Sequence, residues 1–200
     1  MLPPVLAQMK KLGHAVFENG NYDLNLFGIR ENDNISGSFN DLLGCAYKLE
    51  GQWIVRYWAG TCDPGLYWRE NPGNVNGTAI LVPGQYRSVY KIGKHKGYDA
   101  LCQHNGRVKV YRDNNKNMIM DYAPSSTQEG YFGINIHAST SDPYNTDRDR
   151  STDSQVNKWS AGCQVHATTT GFREMMDLCR MQIDIRGWET FTYTLLEKWW

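Results

Sequence analysis

The sequence predicts a mostly-β single domain of β-sandwich or barrel type with one or two helices, which is α+β by strict count. Two hundred residues suffice for one domain with its own core. Most segments are short and apolar or alternating, and Gly, Pro and Asn separate them, which is typical of strands and turns. One segment has a clear helical period, since Phe172, Met175, Met176 and Cys179 recur at i, i+3, i+4 and i+7.

The N-terminal part of the chain is expected to form a short helix, a strand and a hairpin. Val5–Phe17 fits the helix, and Tyr22–Arg30 fits the strand because polar and apolar residues alternate there. Leu42–Leu49 and Gln52–Gly60 are expected to pair about a turn at Glu50-Gly51.

The rest of the chain contains further strands, one helix and one long loop. The predicted strands are Ala79–Val82, Gln85–Ile92, Tyr98–His104, Arg107–Arg112, Tyr131–His137 and Thr190–Leu196. Asn105-Gly106 is a strong hairpin pattern, so Tyr98–His104 and Arg107–Arg112 are expected to pair. The helix Gly171–Met181 is expected to be capped by Thr169 or Thr170. Ser139–Lys158 is polar, and such long loops often act as lids.

Charge and hydropathy exclude several classes of partner. The 21 basic and 21 acidic residues balance, so no nucleic-acid surface is expected. No apolar run approaches the roughly 18 residues that cross a bilayer, so no membrane span is expected. The N-terminal segment, interrupted by Pro3, Pro4, Lys10 and Lys11, does not fit a signal peptide. We therefore expect synthesis in the cytoplasm. The oligomeric state stays open.

The five cysteines are expected to be reduced thiols. Their number is odd and their spacing fits neither a metal site nor a disulfide framework. The predicted hairpin sets Cys45 opposite Arg56, away from Cys62, and the helical period makes Cys179 a core residue.

The candidate catalytic residues are a thiol and an upstream imidazole. His137 ends the apolar run Phe132–Ile136, and Cys163 follows Ser160-Ala161-Gly162. A neighbouring imidazole can activate a thiol for nucleophilic attack, and the amides of Gly162 and Cys163 can bind an oxyanion. A helix that begins soon after Cys163 would favour the thiolate through its dipole. The alternatives are a structural Cys163, a strand-end His137 bound to the loop, and His166 as a rival base.

The segment GINIHAS followed by SAGCQV resembles the L,D-transpeptidase catalytic domain, whose signature is a strand ending in His, a loop, and then Ser/Thr-His-Gly-Cys. The resemblance covers about residues 77–196, with a strand-hairpin region at 20–62 expected to pack on that core. It implies a mostly-β fold of that family, Cys163 as nucleophile and His137 as base. It also implies a backbone carbonyl near Ala138 or Ser139 that orients the imidazole, and an oxyanion amide at Gly162. The residues expected to bind substrate are Trp159, Ser160, Gln164 and Tyr131.

The function implied by this resemblance is acyl transfer through a cysteine thioester on peptidoglycan stem peptides. Ala161 replaces the family's histidine, and Val165 replaces its Arg or Asn after the cysteine, so hydrolysis is favoured over transpeptidation. Without an export signal, a phage lysis or virion protein or a delivered toxin is expected. The alternatives are an inactive wall-binding or virion structural module and a cysteine amidase that acts on another substrate.

No cofactor is expected, although one loop weakly resembles a calcium site. Oxygen-bearing side chains alternate in this loop, at Asp113, Asn115, Asn117 and Asp121. Met118 stands where such a loop needs glycine, and Pro124 where it needs a bidentate Glu, so a polar turn is the simpler interpretation. Cys102 and His104 are a poor zinc pair, because the predicted hairpin sets them opposite Lys109 and Arg107.

Overall fold

The computed structural model describes residues 1–145 and 155–200, and it confirms a mostly-β fold. The described strands of the barrel are β1 (Asn25–Arg30), β2 (Asp41–Leu49), β3 (Gln52–Thr61), β5 (Gly84–His95), β6 (Tyr98–Gln103), β9 (Ile136–Ala138), β10 (Gln164–His166) and β11 (Phe191–Glu197). A separate sheet contains β4 (Thr78–Leu81), β7 (Val108–Asp113) and β8 (Gln128–Gly130). The barrel closes in the order β1-β11-β5-β6-β9-β10-β3-β2, and the separate sheet has the order β4-β7-β8.

Three α-helices lie in the described part of the chain: α1 (Pro4–Lys11), α2 (Leu66–Glu70) and α3 (Thr169–Arg186). Pro4 occupies the first turn of α1, where its missing N–H costs nothing. α1 ends at Lys11, well before the predicted Phe17, and α3 extends beyond the predicted Gly171–Met181. The N-cap of α3 is Thr168, whose hydroxyl accepts from the Gly171 N–H, so neither Thr169 nor Thr170 is the cap. None of the described helices is long and apolar enough to cross a membrane.

Strands from both ends of the chain build the barrel. β1 pairs in parallel with β11, and β2 and β3 form the predicted hairpin with Cys45 opposite Arg56. The 20–62 region therefore supplies three of the barrel strands instead of packing on a core completed by residues 77–196. The strand predicted at Tyr22–Arg30 starts at Asn25. Both of its faces are buried, Leu26 in the main core and Phe27 in a second cluster with α1.

The hairpin predicted at Asn105-Gly106 is wrong. β6 pairs with β5 and β9, whereas β7 leaves the barrel and pairs with β4 and β8. A tight type I′ turn needs positive φ at both central residues. Lys96 and Gly97 have it, at 47° and 96°, and they join β5 to β6, but neither Asn105 nor Gly106 does.

The Asn105-Gly106 segment is instead fixed to β5. The Asn105 N–H donates to the Val89 carbonyl, and the Asn105 side-chain amide donates to the Ser88 carbonyl. Cys102 consequently lies opposite Lys91, not Lys109. The predicted register, which set Cys102 opposite Lys109 and His104 opposite Arg107, is therefore wrong.

The five cysteines are all free, and Cys179 is fully buried in the main core, as predicted. The strand predicted at Tyr131–His137 is mostly irregular, and only its end belongs to β9. The middle of the predicted lid loop, residues 146–154, lies outside the described residues.

Candidate active site

Parallel pairing of β9 and β10 brings the candidate base and nucleophile to one face of the barrel wall. The register places Val165 beside His137. Cys163 lies two residues before Val165, and side chains two residues apart in extended chain point to the same face. The imidazole and the thiol therefore belong to neighbouring segments on one face.

The Cys163 thiol is held by the backbone before β9. The residue is partly exposed, its Sγ donates to the Gly133 carbonyl at 3.3 Å, and the Asn135 N–H donates to Sγ at 3.4 Å. No hydrogen bond joins Sγ to His137 among the described residues. Burial raises the pKa of the Cys163 thiol to about 11, although the Asn135 N–H and the charge of Lys96 act in the opposite direction. Cys163 is thus a neutral thiol at rest.

His137 is buried and its tautomer is defined by one hydrogen bond. Its Nδ1 lies 2.8 Å from the Ala138 carbonyl oxygen, which can only accept, so Nδ1 carries the proton. No hydrogen bond to Nε2 is found among residues 1–145 and 155–200, and in this tautomer Nε2 is an acceptor. Burial first, and then the neighbouring His95, lower the pKa of His137 to about 3. The ring is therefore neutral at pH 7, as a general base must be.

The carbonyl that orients His137 belongs to Ala138 and not to Ser139. Ala138 oxygen also accepts from the Tyr98 hydroxyl at 3.3 Å. Ser139 is buried, and its backbone N–H and its hydroxyl donate to the carbonyls of His166 and Ala167. Ser139 therefore ties β9 to the chain after β10 instead of holding the imidazole.

The oxyanion amide expected at Gly162 is already occupied. The Gly162 N–H donates to Ser160 Oγ at 3.1 Å, and the Ser160 hydroxyl donates to the Cys163 carbonyl at 2.8 Å. Ser160 is fully buried, so it shapes the turn instead of contacting substrate. The Cys163 N–H has no acceptor among the described residues.

Gln164 does not bind substrate in this arrangement. It is fully buried, its Oε1 accepts from the Tyr193 hydroxyl at 2.9 Å, and its Nε2 donates to the Cys62 carbonyl. The strand period explains this placement, because Gln164 lies on the opposite face from Cys163. Trp159 is half-buried, with the Lys96 ammonium 5.9 Å from the centre of its ring.

Tyr131 borders a cleft of about 370 Å³ whose lining includes neither Cys163 nor His137. Phe132, adjacent to the Gly133 that holds Sγ, and Ala161, two residues before Cys163, line the same cleft. The Arg112 guanidinium lies 4.6 Å from the centre of the Phe132 ring. Arg112 is the one charged side chain among the described residues that line this cleft.

His166, the rival base, belongs to the core. Its Nε2 lies 3.3 Å from Met175 Sδ, and its ring packs on Trp58 and Phe172. It points to the face opposite Cys163, since it shares the face of Gln164. The dipole of α3 does not act directly on Cys163 either, because β10 separates the two.

The loop that resembles a calcium site satisfies its oxygens internally. Asp113 forms a buried ion pair with Arg69 and also accepts from the Asp121 N–H. Asn115 donates to Asp121 at 2.6 Å, and Asn117 Oδ1 accepts from a backbone N–H. The described residues contain no cluster of three His, Cys, Asp or Glu that could hold a metal ion. The charge of Asp113 is thus balanced by the Arg69 guanidinium.

His95 and Asn135 are site residues that the sequence analysis missed. The His95 ring stacks on His137 with 4.1 Å between centroids and 18° between planes. The Asn135 side chain lies 3.2 Å from His95 Nδ1, while its backbone binds the thiol. The sequence feature that could have pointed to His95 is its position directly before Lys96-Gly97, the turn that joins β5 to β6.

Comparisons of the chain with protein-family models, with curated proteins and with solved structures found no match. The assignment of function therefore depends on the geometry around Cys163 and His137 and on the motif that these residues belong to.

Proposed function

We propose that the protein is a cysteine hydrolase that cleaves peptidoglycan stem peptides, as a carboxypeptidase or endopeptidase. The observation that carries the proposal is the parallel register of β9 and β10, which sets a neutral imidazole with Nε2 as an acceptor on the face of Cys163. The substrate class is supported by the resemblance of the GINIHAS and SAGCQV segments to the L,D-transpeptidase signature.

In the first half-reaction Cys163 becomes acylated. Sγ leaves the Gly133 carbonyl, its proton passes to His137 Nε2, and sulfur bonds to the substrate carbonyl carbon. The Cys163 N–H stabilises the oxyanion of the tetrahedral intermediate. The C–N bond then breaks, the leaving amine takes the proton from His137, and a thioester remains on Cys163.

In the second half-reaction water releases the acyl group. His137 Nε2 takes a proton from water, the oxygen bonds to the thioester carbon, and the C–S bond breaks as sulfur regains the proton. The Ala138 carbonyl keeps Nδ1 protonated throughout, so the same nitrogen serves both halves. A stem peptide would occupy the cleft lined by Tyr131, Phe132 and Arg112, where the guanidinium can pair with a substrate carboxylate.

The test is digestion of purified peptidoglycan, with the released and remaining stem peptides identified by mass spectrometry. We expect the native protein to shorten or cleave stem peptides, and Cys163→Ala to abolish this. His137→Gln should lower the rate about 10²- to 10⁴-fold, the contribution of a positioned general base. His104→Gln, which replaces an exposed histidine, is the matched control and should keep full activity.

Three outcomes would contradict the proposal. Unchanged stem peptides, with Cys163 forming no acyl adduct, would favour a binding or structural module. Activity on amides outside the wall, but not on peptidoglycan, would favour a different cysteine amidase. Loss of activity in His166→Phe but not in His137→Gln would show that His166, and not His137, is the base.

A further inference from the structure

A second imidazole lies flat against the candidate base. His95 ends β5, and its ring stacks on His137 of β9 and makes a T-shaped contact with Tyr98 of β6. The centroid distances are 4.1 Å to His137 and 5.7 Å to Tyr98. The tilt of the His137 imidazole is therefore limited on one side by another ring, in addition to the hydrogen bond of its Nδ1.

Asn135 uses all four of its polar groups around this stack. Its N–H donates to Cys163 Sγ, and its carbonyl accepts from the Gln164 N–H at 2.9 Å. Its Oδ1 accepts from the Gln103 N–H at 2.9 Å, and its Nδ2 lies 3.2 Å from His95 Nδ1. One residue thus contacts both the nucleophile and the ring that supports the base.

These contacts define the tautomer of His95. The Gln103 N–H can only donate, so the amide oxygen of Asn135 must face it and the NH₂ group must face His95. An NH₂ group also only donates, so His95 Nδ1 accepts and the neutral ring carries its proton on Nε2. Protonation of Nδ1 would set two donors against each other and break the bond to Asn135.

A neutral His95 matters for proton transfer to His137. When His137 takes the thiol proton it becomes a cation, and a second cation 4.1 Å away would oppose this step. The groups around His95 are Lys96 in the adjoining turn, Tyr98 on β6 and His137 on β9. Burial and the charge of Lys96 lower the pKa of His95, in the same direction as the Asn135 hydrogen bond.

We propose that Asn135 and His95 are positioning residues for the catalytic pair: Asn135 holds His95 as the neutral Nε2–H tautomer, and the stacked ring orients His137 while leaving its face uncharged. The proposal rests on the proposed function, and it predicts that Asn135→Asp converts His95 into a cation. An aspartate at this position would still accept from the Gln103 N–H but would present a carboxylate oxygen to Nδ1.

The test combines nuclear magnetic resonance with thiol alkylation, neither of which needs a peptide substrate. In the native protein, ¹⁵N shifts of the His95 ring should show the Nε2–H tautomer at pH 7. In Asn135→Asp, His95 should be doubly protonated at pH 7. Because both iodoacetamide alkylation of Cys163 and peptidoglycan cleavage need a neutral His95 beside His137, the acid limb of each pH profile should follow the titration of His95 and move to higher pH by about one unit or more.

The control background is His95→Phe, which keeps a stacked ring but cannot titrate. In this background Asn135→Asp should no longer move the acid limb, a result that a purely structural role of Asn135 would not produce. His104→Phe should leave the alkylation profile unchanged. An Nδ1–H or cationic His95 in the native protein, or an equal shift with and without the His95 ring, would overturn the proposal. Failure on peptidoglycan with the expected ring shifts and alkylation profile would overturn the substrate assignment instead.

Discussion

Gly162 connects the Ser160 turn to Cys163, and its replacement by alanine offers a direct test of how this turn is built. Its φ is +118°, a backbone conformation that residues with a side chain rarely adopt. A Cβ at this position would lie 2.5 Å from the Ala79 carbonyl oxygen. Backbone strain of this kind costs about 1–3 kcal/mol. Because the clash is with the backbone of β4, the main chain of β4 or of the Ser160 turn must also move. We therefore expect Gly162→Ala to destabilise the protein by about 3 kcal/mol or more.

The matched control is Gly187→Ala at the end of α3. Gly187 also has positive φ, at +69°, but a Cβ there would meet no atom within 4 Å. We expect this variant to lose about 1 kcal/mol through the backbone conformation alone. Urea unfolding followed by circular dichroism gives both free energies of unfolding. Equal losses in the two variants would refute the inference that the chain approaches β4 closely at Gly162.

The other predictions concern buried charge and acid stability. Arg69→Met leaves the Asp113 carboxylate buried without its partner and should cost about 3–5 kcal/mol in urea unfolding; a loss below about 1 kcal/mol would contradict this. Burial lowers the pKa of His166 to about 3, so the unfolded chain binds more protons than the folded one below pH 6.5. The free energy of unfolding should therefore decrease as the pH is lowered. Between pH 8 and pH 5, His166 alone should account for a loss of about 2 kcal/mol. In His166→Phe the fall should be smaller by that amount, and an unchanged pH dependence would show that His166 is not buried and neutral.

Elements whose formation depends on residues adjacent in the sequence were predictable. The β2–β3 hairpin has the predicted turn at Glu50-Gly51 and the predicted pairing of Cys45 with Arg56. The apolar period around Phe172 located α3 and its buried face. The Asn105-Gly106 hairpin failed because contacts with β5 hold that segment, whereas Lys96-Gly97, a less typical pair, adopts the turn.

The sequence singled out the two candidate residues but not how they are arranged. The motif pointed to His137 and Cys163, and the structure sets them on one face. Gln164 was assigned to substrate because it is adjacent to the thiol in sequence. It lies inside the fold because extended chain alternates its side chains and Tyr193 binds it there.

The sequence by itself determined the β-rich class and the buried face of α3, because both follow from local periodicity, and it pointed to Cys163 and His137 as candidate residues through the reactivity of their side chains. Only the tertiary structure decided which carbonyl binds His137 Nδ1, that Ser160 occupies the Gly162 N–H, and that His95 stacks on His137. These contacts join β5, β9 and the chain before β10, which are distant in sequence. Their hydrogen bonds form only when the barrel closes.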